Sequence, residues 1–341
     1  MGDGTTMRAP SKNDLDKFQF RGVDPRILIG MASDRYAGWI GQVYSGERYR
    51  GQTSRRPHTV GGKAFVEEVL PVESVEEYFE HFSVLEVDYT FYRLLLDKDG
   101  KPTQNYHVLK KYRQHMKEGD SLILKVPQVI FARKLRRGGE LIENESYLNV
   151  EIFTKQFYNP AVEILGPTLS GLIFEQEYHP KKDRIEIDEL AGTLDTFFQN
   201  IPKDTRYHVE LRTEAYWAEP VFKVLQKHGV GMVLSHWTWL PPLGKQFTKA
   251  GERFFNSDGQ GVVRLITPLR MSYEDSYAKA FPFDKIVDGM LNPQMIEDTV
   301  LLIREAVKKG RKVAVIINNR AGGNGPLIAR TIGEKLSEMM I

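Results

Sequence analysis

The sequence predicts an α/β fold, a TIM-like (β/α)8 barrel with long loops after strands 1, 6 and 7. Eight short apolar runs recur along the chain with helical stretches between them, and all but the first run carry a polar residue at or next to the end. Strands that alternate with helices form parallel sheets with right-handed crossovers, and eight such units favour a closed barrel. An open doubly wound sheet with similar spacing is the alternative.

The strand candidates are short runs rich in valine, isoleucine and leucine. They cover residues 26–31, 84–88, 122–126, 172–175, 208–212, 232–236, 262–265 and 313–319. Continuous apolar runs of this length are typical of parallel strands that are covered on both faces. We therefore expect these strands to lie between an outer layer of helices and a filled barrel interior.

Helices are predicted from apolar residues at helical spacing and from the glycine or proline that follows them. The predicted helices cover residues 73–82, 104–117, 147–165, 187–200, 218–228, 244–255 and 293–309, and a last helix begins at about 326. Gly229 and Gly310 directly follow two of these segments, as expected for helix C-caps. The segment 33–72 lacks periodicity, and ordered loops of that length are usually functional.

The composition narrows the class of protein. The chain of 341 residues has 27% charged residues, a formal net charge of +2 and no cysteine. The lack of cysteine excludes disulfides, a thiolate nucleophile and cysteine-ligated zinc. No apolar run approaches the roughly 18–20 residues that span a bilayer, so a cytoplasmic protein without a membrane partner is expected. The small net charge does not by itself indicate nucleic-acid binding.

The domain organisation is predicted to be simple. Residues 1–24 are polar and pattern-free, which is typical of a flexible N-terminal tail. No linker rich in proline or serine divides the rest of the chain, so residues 25–341 are expected to form a single barrel domain.

Charged and amide residues stand at the ends of the predicted strands, where the active sites of such barrels form. The set comprises Glu86, Lys125, Glu175, Glu210, Arg212, His236, Arg264, Asn318 and Asn319. Glu210 and Arg212 are two residues apart on a strand and therefore share a face. Buried carboxylates beside cations are typical of tuned acid–base sites, so Glu210, Glu175 and Glu86 are candidates for catalysis. The alternative is a salt-bridge network that only fills the top of the barrel.

Two basic loops are expected to border the same face. Arginine, lysine and histidine are concentrated at 48–63, after the first strand, and at 133–137, after the third. Arginine binds phosphate or carboxylate through its forked donors, so capture of an anionic ligand is the favoured interpretation, with a solvated loop as the alternative. The glycine-rich turn at 321–325 either holds a phosphate at a helix N-terminus or is a plain turn.

Aromatic residues and possible metal ligands lie near these loops. Tyr92 and Trp39 are candidates for stacking on a base or sugar ring, and the alternative is packing that anchors long loops. A divalent metal is possible, although no compact ligand motif such as H-E-x-x-H requires one. Its candidate ligands are Glu86, Glu175, Glu210 and His236.

A series of short motifs recurs at these strand ends in a fixed order. The motifs are Ile29-Gly30-Met31-Ala32-Ser33, Val87-Asp88-Tyr89-Thr90-Phe91-Tyr92-Arg93, Leu124-Lys125-Val126-Pro127, Leu172-Ile173-Phe174-Glu175, Val209-Glu210-Leu211-Arg212, Val263-Arg264-Leu265 and Ile317-Asn318-Asn319. Together they resemble the YecE-like family, also called domain-of-unknown-function family 72. The resemblance implies a barrel related to the TIM fold and no established activity. Likeness to phosphate-handling barrels suggests hydrolysis or nucleic-acid binding by analogy of fold alone.

The chain differs from that family pattern at several points. After the fourth strand it has Glu175-Gln176-Glu177-Tyr178 where the family usually has Gln and then Leu-Pro-Pro. Thr213 and Ile266 stand where the family has histidine, which argues against a histidine base there. The chain therefore resembles a divergent member. The residues of the pattern that it keeps include Lys125, Glu210, Arg212, Arg264 and Asn318.

These observations lead to one expected function and two alternatives. The expected function is binding of an anionic or phosphorylated ligand at the barrel mouth, with acid–base chemistry of a hydrolase or isomerase type. Lys125, Arg212 and Arg264 would neutralise the ligand's charge, and Asn318 and Asn319 would orient it. The first alternative is a nucleic-acid-binding protein without catalysis that uses the basic loops. The second is a scaffold whose mouth is only a polar network.

Overall fold

A closed barrel of eight parallel strands forms the centre of the computed structural model, which describes residues 7–138 and 140–339. The strands are β1 Ile27–Ala32, β2 Val84–Val87, β3 Ser121–Lys125, β4 Leu169–Glu175, β5 Tyr207–Glu210, β6 Gly231–His236, β7 Gln260–Leu265 and β8 Lys312–Ile317. Each strand pairs in parallel with its neighbours in sequence, and β8 pairs with β1 to close the barrel. The predicted (β/α)8 barrel is confirmed, and the open sheet is excluded.

Helices between the strands form the outer layer. They are α1 Val75–His81, α2 Gln104–Gln114, α3 from Val150 to Leu165, α4 Ile187–Asn200, α5 Glu219–His228, α6 Leu243–Lys249, α7 Pro293–Lys308 and α8 Gly325–Glu338. Each of them lies in a stretch that the sequence predicts to be helical. The predicted helix over 244–255 ends earlier, at Lys249, and Gly251 then adopts a positive φ of 57°.

Proline explains an irregularity in the middle of α3. The segment Thr154–Tyr158 is π-helical, and Pro160 follows it in the turn that begins at Asn159. Proline has no N–H, so the carbonyl of Gln156, four residues earlier, lacks its usual helical donor. That carbonyl instead accepts hydrogen bonds from the N–H groups of Leu95 and Leu96, at 3.1 and 3.0 Å. The break in α3 thus fastens the loop after β2.

Side chains alternate between the barrel interior and the helical layer along each strand. The interior is filled at mid-height by Ala32, Val84, Ile123, Ile173, Val233, Val262, Ala314 and Ile316. Two residues further along the same inward rows the side chains become polar. Val84 is followed by Glu86, and Ile123 is followed by Lys125. The period of two therefore places the charged strand ends together above an aliphatic core.

Residues 7–24 of the predicted tail pack against the barrel. Lys12–Asp16 is a short helix, capped by Ser11, and Leu15 is buried. A Cβ on Gly333 of α8 would lie 2.5 Å from a methyl carbon of Leu15, so glycine leaves the space that this leucine occupies. Phe18 and Phe20 are also buried, which explains why residues 7–24 are ordered where the sequence predicted a flexible tail. Residues 1–6 lie outside the described residues.

The loops at the carboxyl ends of the strands contain structure that the sequence did not predict. The loop after β1 carries an antiparallel hairpin of Ser54–Val60 and Lys63–Val69, and the loop after β3 carries one of Lys134–Arg137 and Glu140–Glu143. The loop after β7 contains the helix Tyr273–Ala280. Only residues 237–242 separate β6 from α6, so the long loop predicted there is short. In the described ranges, no helix combines the length and apolar character needed to span a membrane.

Candidate functional site

Arg264 on β7 binds three glutamates inside the barrel. Its Nε and Nη2 donate to the two carboxylate oxygens of Glu86, at 2.7 and 2.6 Å. Its Nη1 donates to Glu175 at 3.1 Å and also to Glu210. The Arg264 side chain is 3% exposed, and those of Glu86 and Glu210 are 0% exposed. Since all its nitrogens are engaged, Arg264 forms a closed floor beneath the mouth.

Glu175 on β4 joins this floor to a second layer nearer to solvent. Its Oε2 forms ion pairs with Lys125 Nζ at 2.6 Å and with Arg212 Nη2 at 2.9 Å, and it accepts a hydrogen bond from Arg264 at 3.1 Å. Among the described residues, the ion pairs and the hydrogen bond of this carboxylate all involve Oε2, and none involves Oε1. Both oxygens of Glu86 and of Glu210 are occupied. Glu175 is therefore the glutamate of this cluster with an oxygen left for a ligand.

Aromatic rings fix the two cations of the upper layer. The guanidinium of Arg212 lies over the ring of Trp237, at 4.8 Å from its centroid, and its Nε is 3.3 Å from Glu210. The ammonium of Lys125 lies 3.8 Å from the ring centroid of Phe91. Such contacts favour a charged side chain in one orientation. The cations are thus held in place before any ligand arrives.

The charges in the cluster are unevenly distributed with depth. In the buried floor, Arg264 faces the two fully buried carboxylates of Glu86 and Glu210. Nearer to solvent, Lys125 and Arg212 share the single carboxylate of Glu175, and their side chains are 10% and 16% exposed. The six groups are balanced in total, but the face that meets solvent has two cations for one carboxylate. That face is suited to an anion.

Burial and neighbouring charges shift the pKa values of these groups in different directions. Complete burial raises the pKa of Glu86, although Arg264 opposes the shift. Burial also raises the pKa of Glu175, but the charges of Arg212 and Lys125 outweigh it and hold that pKa well below its usual range. The pKa of Glu210 is lowered by Arg264 in the same way. Burial lowers the pKa of Lys125, which brings its ammonium closer to losing its proton at neutral pH.

Asn318 reaches the mouth, whereas Asn319 and Trp39 do not. Asn318 continues the inward row of β8, and its side-chain oxygen accepts from the N–H of Arg320 at 3.0 Å. Asn319 accepts from Trp39 Nε1 at 3.1 Å and from the N–H of Gly325 at 2.7 Å. Trp39 is 1% exposed. The prediction that Asn319 and Trp39 contact a ligand is therefore not supported, because Trp39 is buried and its Nε1 donates to the side-chain oxygen of Asn319.

His236 and Tyr92 lie on opposite sides of the cluster. His236 directly follows Ser235 on β6, and Ser235 faces the interior and donates to Glu210 at 2.7 Å. The His236 ring instead lies 2.8 Å from the carbonyl of Thr267 and is buried, which lowers its pKa. It does not face the mouth, contrary to the prediction. Tyr92 stands at the rim and is 69% exposed.

The backbone N–H donors in and next to the glycine-rich turn at 321–325 bind acceptors within the protein. The N–H of Gly323 donates to the carbonyl of Asn319, and the N–H of Gly325 donates to the Asn319 side chain. The N–H of Leu327, at the start of α8, donates to Asn324. These bonds consume the donors that a phosphate would need. The turn therefore matches the plain-turn alternative.

The two basic loops carry compensating acids on their return strands. In the first hairpin Arg55 is opposite Glu68 and Arg56 is opposite Glu67. In the second, Lys134 pairs with Glu143 at 3.5 Å and with Asp183 at 2.8 Å. Opposite charges on neighbouring strands cancel much of each other's field. The basic runs in the sequence therefore do not form a continuous positive surface.

The cluster is not arranged as a metal site. Within residues 7–138 and 140–339, no group of three histidine or acidic side chains has the geometry to hold a metal ion. Glu86, Glu175 and Glu210 converge, but arginine and lysine occupy the positions that a cation would take. The sequence suggested a divalent metal through these glutamates and His236, and neither their contacts nor the outward histidine favours it.

Two residues of the site were missed in the sequence. Ser235 pairs in register with Arg264 and donates to Glu210. The alternation of side chains along β6 could have indicated it, because Val233, two residues earlier, faces the barrel interior. Arg320 follows β8 at the rim, with its guanidinium 4.1 Å from the ring centroid of Tyr273. No local pattern marked Arg320, since its position depends on the loop after β7.

Comparison with known proteins places the whole barrel in one family. The family model described as a protein of unknown function, DUF72, matches residues 28–340. The chain belongs to the DUF72 family. This is the YecE-like family that the strand-end motifs resembled. No curated protein matches this chain.

Solved structures of DUF72 proteins share the fold. A DUF72 family protein from Enterococcus faecalis is 14% identical and has a TM-score of 0.52, with 91% of this chain and 95% of that chain covered. A DUF72 family protein from Thermotoga maritima is 12% identical and has a TM-score of 0.51, with 92% and 99% covered. At this level of identity the likeness shows the barrel architecture of the DUF72 chain and nothing about its ligand.

Proposed function

We propose that the mouth of this DUF72 barrel binds a small anionic ligand, such as a phosphorylated or carboxylated metabolite. The observation that carries the proposal is the arrangement around Glu175, where Lys125 and Arg212 share one carboxylate oxygen on the solvent side. Both cations keep N–H donors that the cluster does not use. An anion placed there would gain charge-assisted hydrogen bonds from both. Asn318, which directly follows β8, would orient the same ligand.

Acid–base chemistry of a hydrolase or isomerase type would depend on Lys125 and Glu175. The lowered pKa of Glu175 keeps this carboxylate ionised, so it suits a base or an electrostatic partner better than a proton donor. The lowered pKa of Lys125, caused by its burial, makes its ammonium a better proton donor than that of a free lysine. Glu210 and Glu86 are fully buried against Arg264 and would orient the reactive pair rather than touch the ligand.

A thermal-shift screen tests the proposal. The purified protein would be heated with phosphate, sulfate, sugar phosphates and carboxylates at constant ionic strength, since a ligand that binds only the native state raises Tm. Arg212→Gln should remove the shift. Arg253→Gln is the matched control, because Arg253 also pairs with a glutamate and stacks on a phenylalanine away from the mouth. Shifts that survive in Arg212→Gln would refute the site.

Nucleic-acid binding is not favoured by the structure, because acids face the basic residues of both hairpins. A short DNA duplex belongs in the same screen, and a shift that falls steeply with added salt would reinstate this alternative. A cytoplasmic location is part of our proposal and rests on the lack of cysteine in the chain.

A further inference from the structure

The exposed aromatic side chains of the described residues are confined to the barrel mouth. They are Tyr92, Tyr178, Trp239 and Tyr273, which follow β2, β4, β6 and β7. Each of them has a polar tip as well as an apolar ring face. In a (β/α)8 barrel, loops after the strands surround the ligand site. The mouth therefore offers ring faces to whatever enters it.

Two of these exposed aromatics, together with Trp237, form a shelf that begins at the charged cluster. The rings of Tyr178 and Trp239 have centroids 6.1 Å apart and planes inclined by 31°, and Tyr178 lies equally close to Trp237. Trp237 in turn lies under the guanidinium of Arg212. We call Tyr178, Trp237 and Trp239 the aromatic shelf. Trp239 is 55% exposed and Tyr178 is 38% exposed, so their faces are open to a ligand.

We propose that the anionic ligand is a nucleoside monophosphate, with its base stacked on the aromatic shelf and its phosphate bound by Arg212 and Lys125. This inference rests on the proposed function, because it uses the same cations for the phosphate. A planar base stacks on exposed tryptophan and tyrosine whatever its identity, so the shelf selects for a base without specifying which one. The arginine that binds the phosphate is itself in contact with the shelf.

The shelf makes a quantitative prediction about affinity. Stacking on an aromatic side chain strengthens binding by about 5- to 150-fold per base. Adenosine monophosphate should therefore bind at least fivefold more tightly than ribose 5-phosphate, which has the phosphate and sugar but no base. Binding should also quench tryptophan fluorescence, because Trp239 is exposed whereas Trp39 and Trp217 are buried.

Calorimetric titration of four proteins tests the inference. Trp239→Ala should reduce the affinity for adenosine monophosphate to that for ribose 5-phosphate and leave the latter unchanged. Trp239→Phe, which keeps a ring, should retain most of the difference. Tyr273→Ala is the matched control, because Tyr273 is an exposed mouth aromatic that stacks on Arg320 outside the shelf. It should bind both ligands as the wild type does.

Different results separate this inference from the proposed function. Equal affinities for adenosine monophosphate and ribose 5-phosphate in the wild type would overturn the shelf, as would a Trp239→Ala protein that loses both ligands equally. If adenosine bound as tightly as its monophosphate, the phosphate would contribute nothing, and that outcome would overturn the anion site and the nucleotide assignment together.

Discussion

At the scale of the residue, the decisive feature is the burial of Arg264 with Glu86 and Glu210. A buried ion pair contributes little to stability when it replaces apolar packing, but the loss of one partner leaves an uncompensated charge in the interior. Here one cation holds two fully buried carboxylates and part of a third. We infer that Arg264 serves mainly to stabilise the fold, whereas Arg212, nearer to solvent, is available for a ligand.

Replacement of Arg264 by methionine tests this division of roles. The change leaves Glu86 and Glu210 buried without their cation, so the free energy of unfolding should fall by about 3–5 kcal/mol. Arg253→Met removes an ion pair whose side chains are 35% and 51% exposed, and it should cost less than about 1 kcal/mol. Urea denaturation measures both. A loss below about 1 kcal/mol in Arg264→Met would show that the ion pairs of Arg264 do not stabilise the fold.

The lowered pKa values of Glu175 and Glu210 predict how stability depends on pH. A carboxylate whose pKa is lower in the folded state stabilises the fold above its unfolded pKa of about 4.3. That contribution is lost as the pH falls from this value towards the folded pKa. Glu175→Gln should therefore show a shallower loss of stability below pH 4.5 than the wild type. Parallel curves from pH 6 to 3 would contradict the assigned shift.

The sequence predicted much of this site because side chains alternate along strands. Glu86, Lys125 and Arg264 extend inward rows that begin with aliphatic residues, so their convergence follows from the period of two. His236 directly follows the inward-facing Ser235, so the same period turns its side chain outward, contrary to the prediction. Asn319 was misplaced for a different reason, since its partner Trp39 is distant in sequence.

At the scale of the element, strands and helices follow from apolar patterns, whereas the hairpins do not. In the sequence, the strand Lys134–Arg137 shows only a basic run. Its return strand Glu140–Glu143 lacks the alternation of apolar residues that would mark a strand facing a core. Pairing of the two strands, and with it the compensation of their charges, depends on the turn between them. The electrostatic character of these loops was therefore not visible from composition alone.

The N-terminal helix gives a prediction at this scale. Leu15 is 7% exposed and fills the space beside Gly333, so Leu15→Ala should lower the free energy of unfolding by about 2–3 kcal/mol. Leu301→Ala, on the outer face of α7 and 44% exposed, is the control and should change it by less than about 0.5 kcal/mol. Chemical denaturation distinguishes them. Equal effects would mean that the N-terminal segment does not stabilise the barrel.

At the scale of the whole molecule, the barrel separates stability from binding along its axis. Aliphatic side chains fill the middle, the Arg264 floor closes it, and the slightly exposed cations and the aromatic rings lie above. Membership of the DUF72 family accounts for the architecture, and the ligand class is our inference from the mouth. The sequence predicts an anionic ligand, but it could not indicate which cations remain available to that ligand once the glutamates have taken their partners.

The central claim is that the solvent side of the cluster is a binding site and not merely a set of ion pairs. The most direct test measures both properties of Arg212→Gln, by calorimetric titration with ribose 5-phosphate and by urea denaturation. Loss of a charge-assisted contact should weaken binding by about 10- to 100-fold. The unfolding free energy should fall by less than in Arg264→Met, because Glu175 keeps Lys125 and Arg264 as partners. Undiminished affinity in Arg212→Gln would contradict the account. So would a wild type that does not bind ribose 5-phosphate, together with an Arg212→Gln protein that is only less stable.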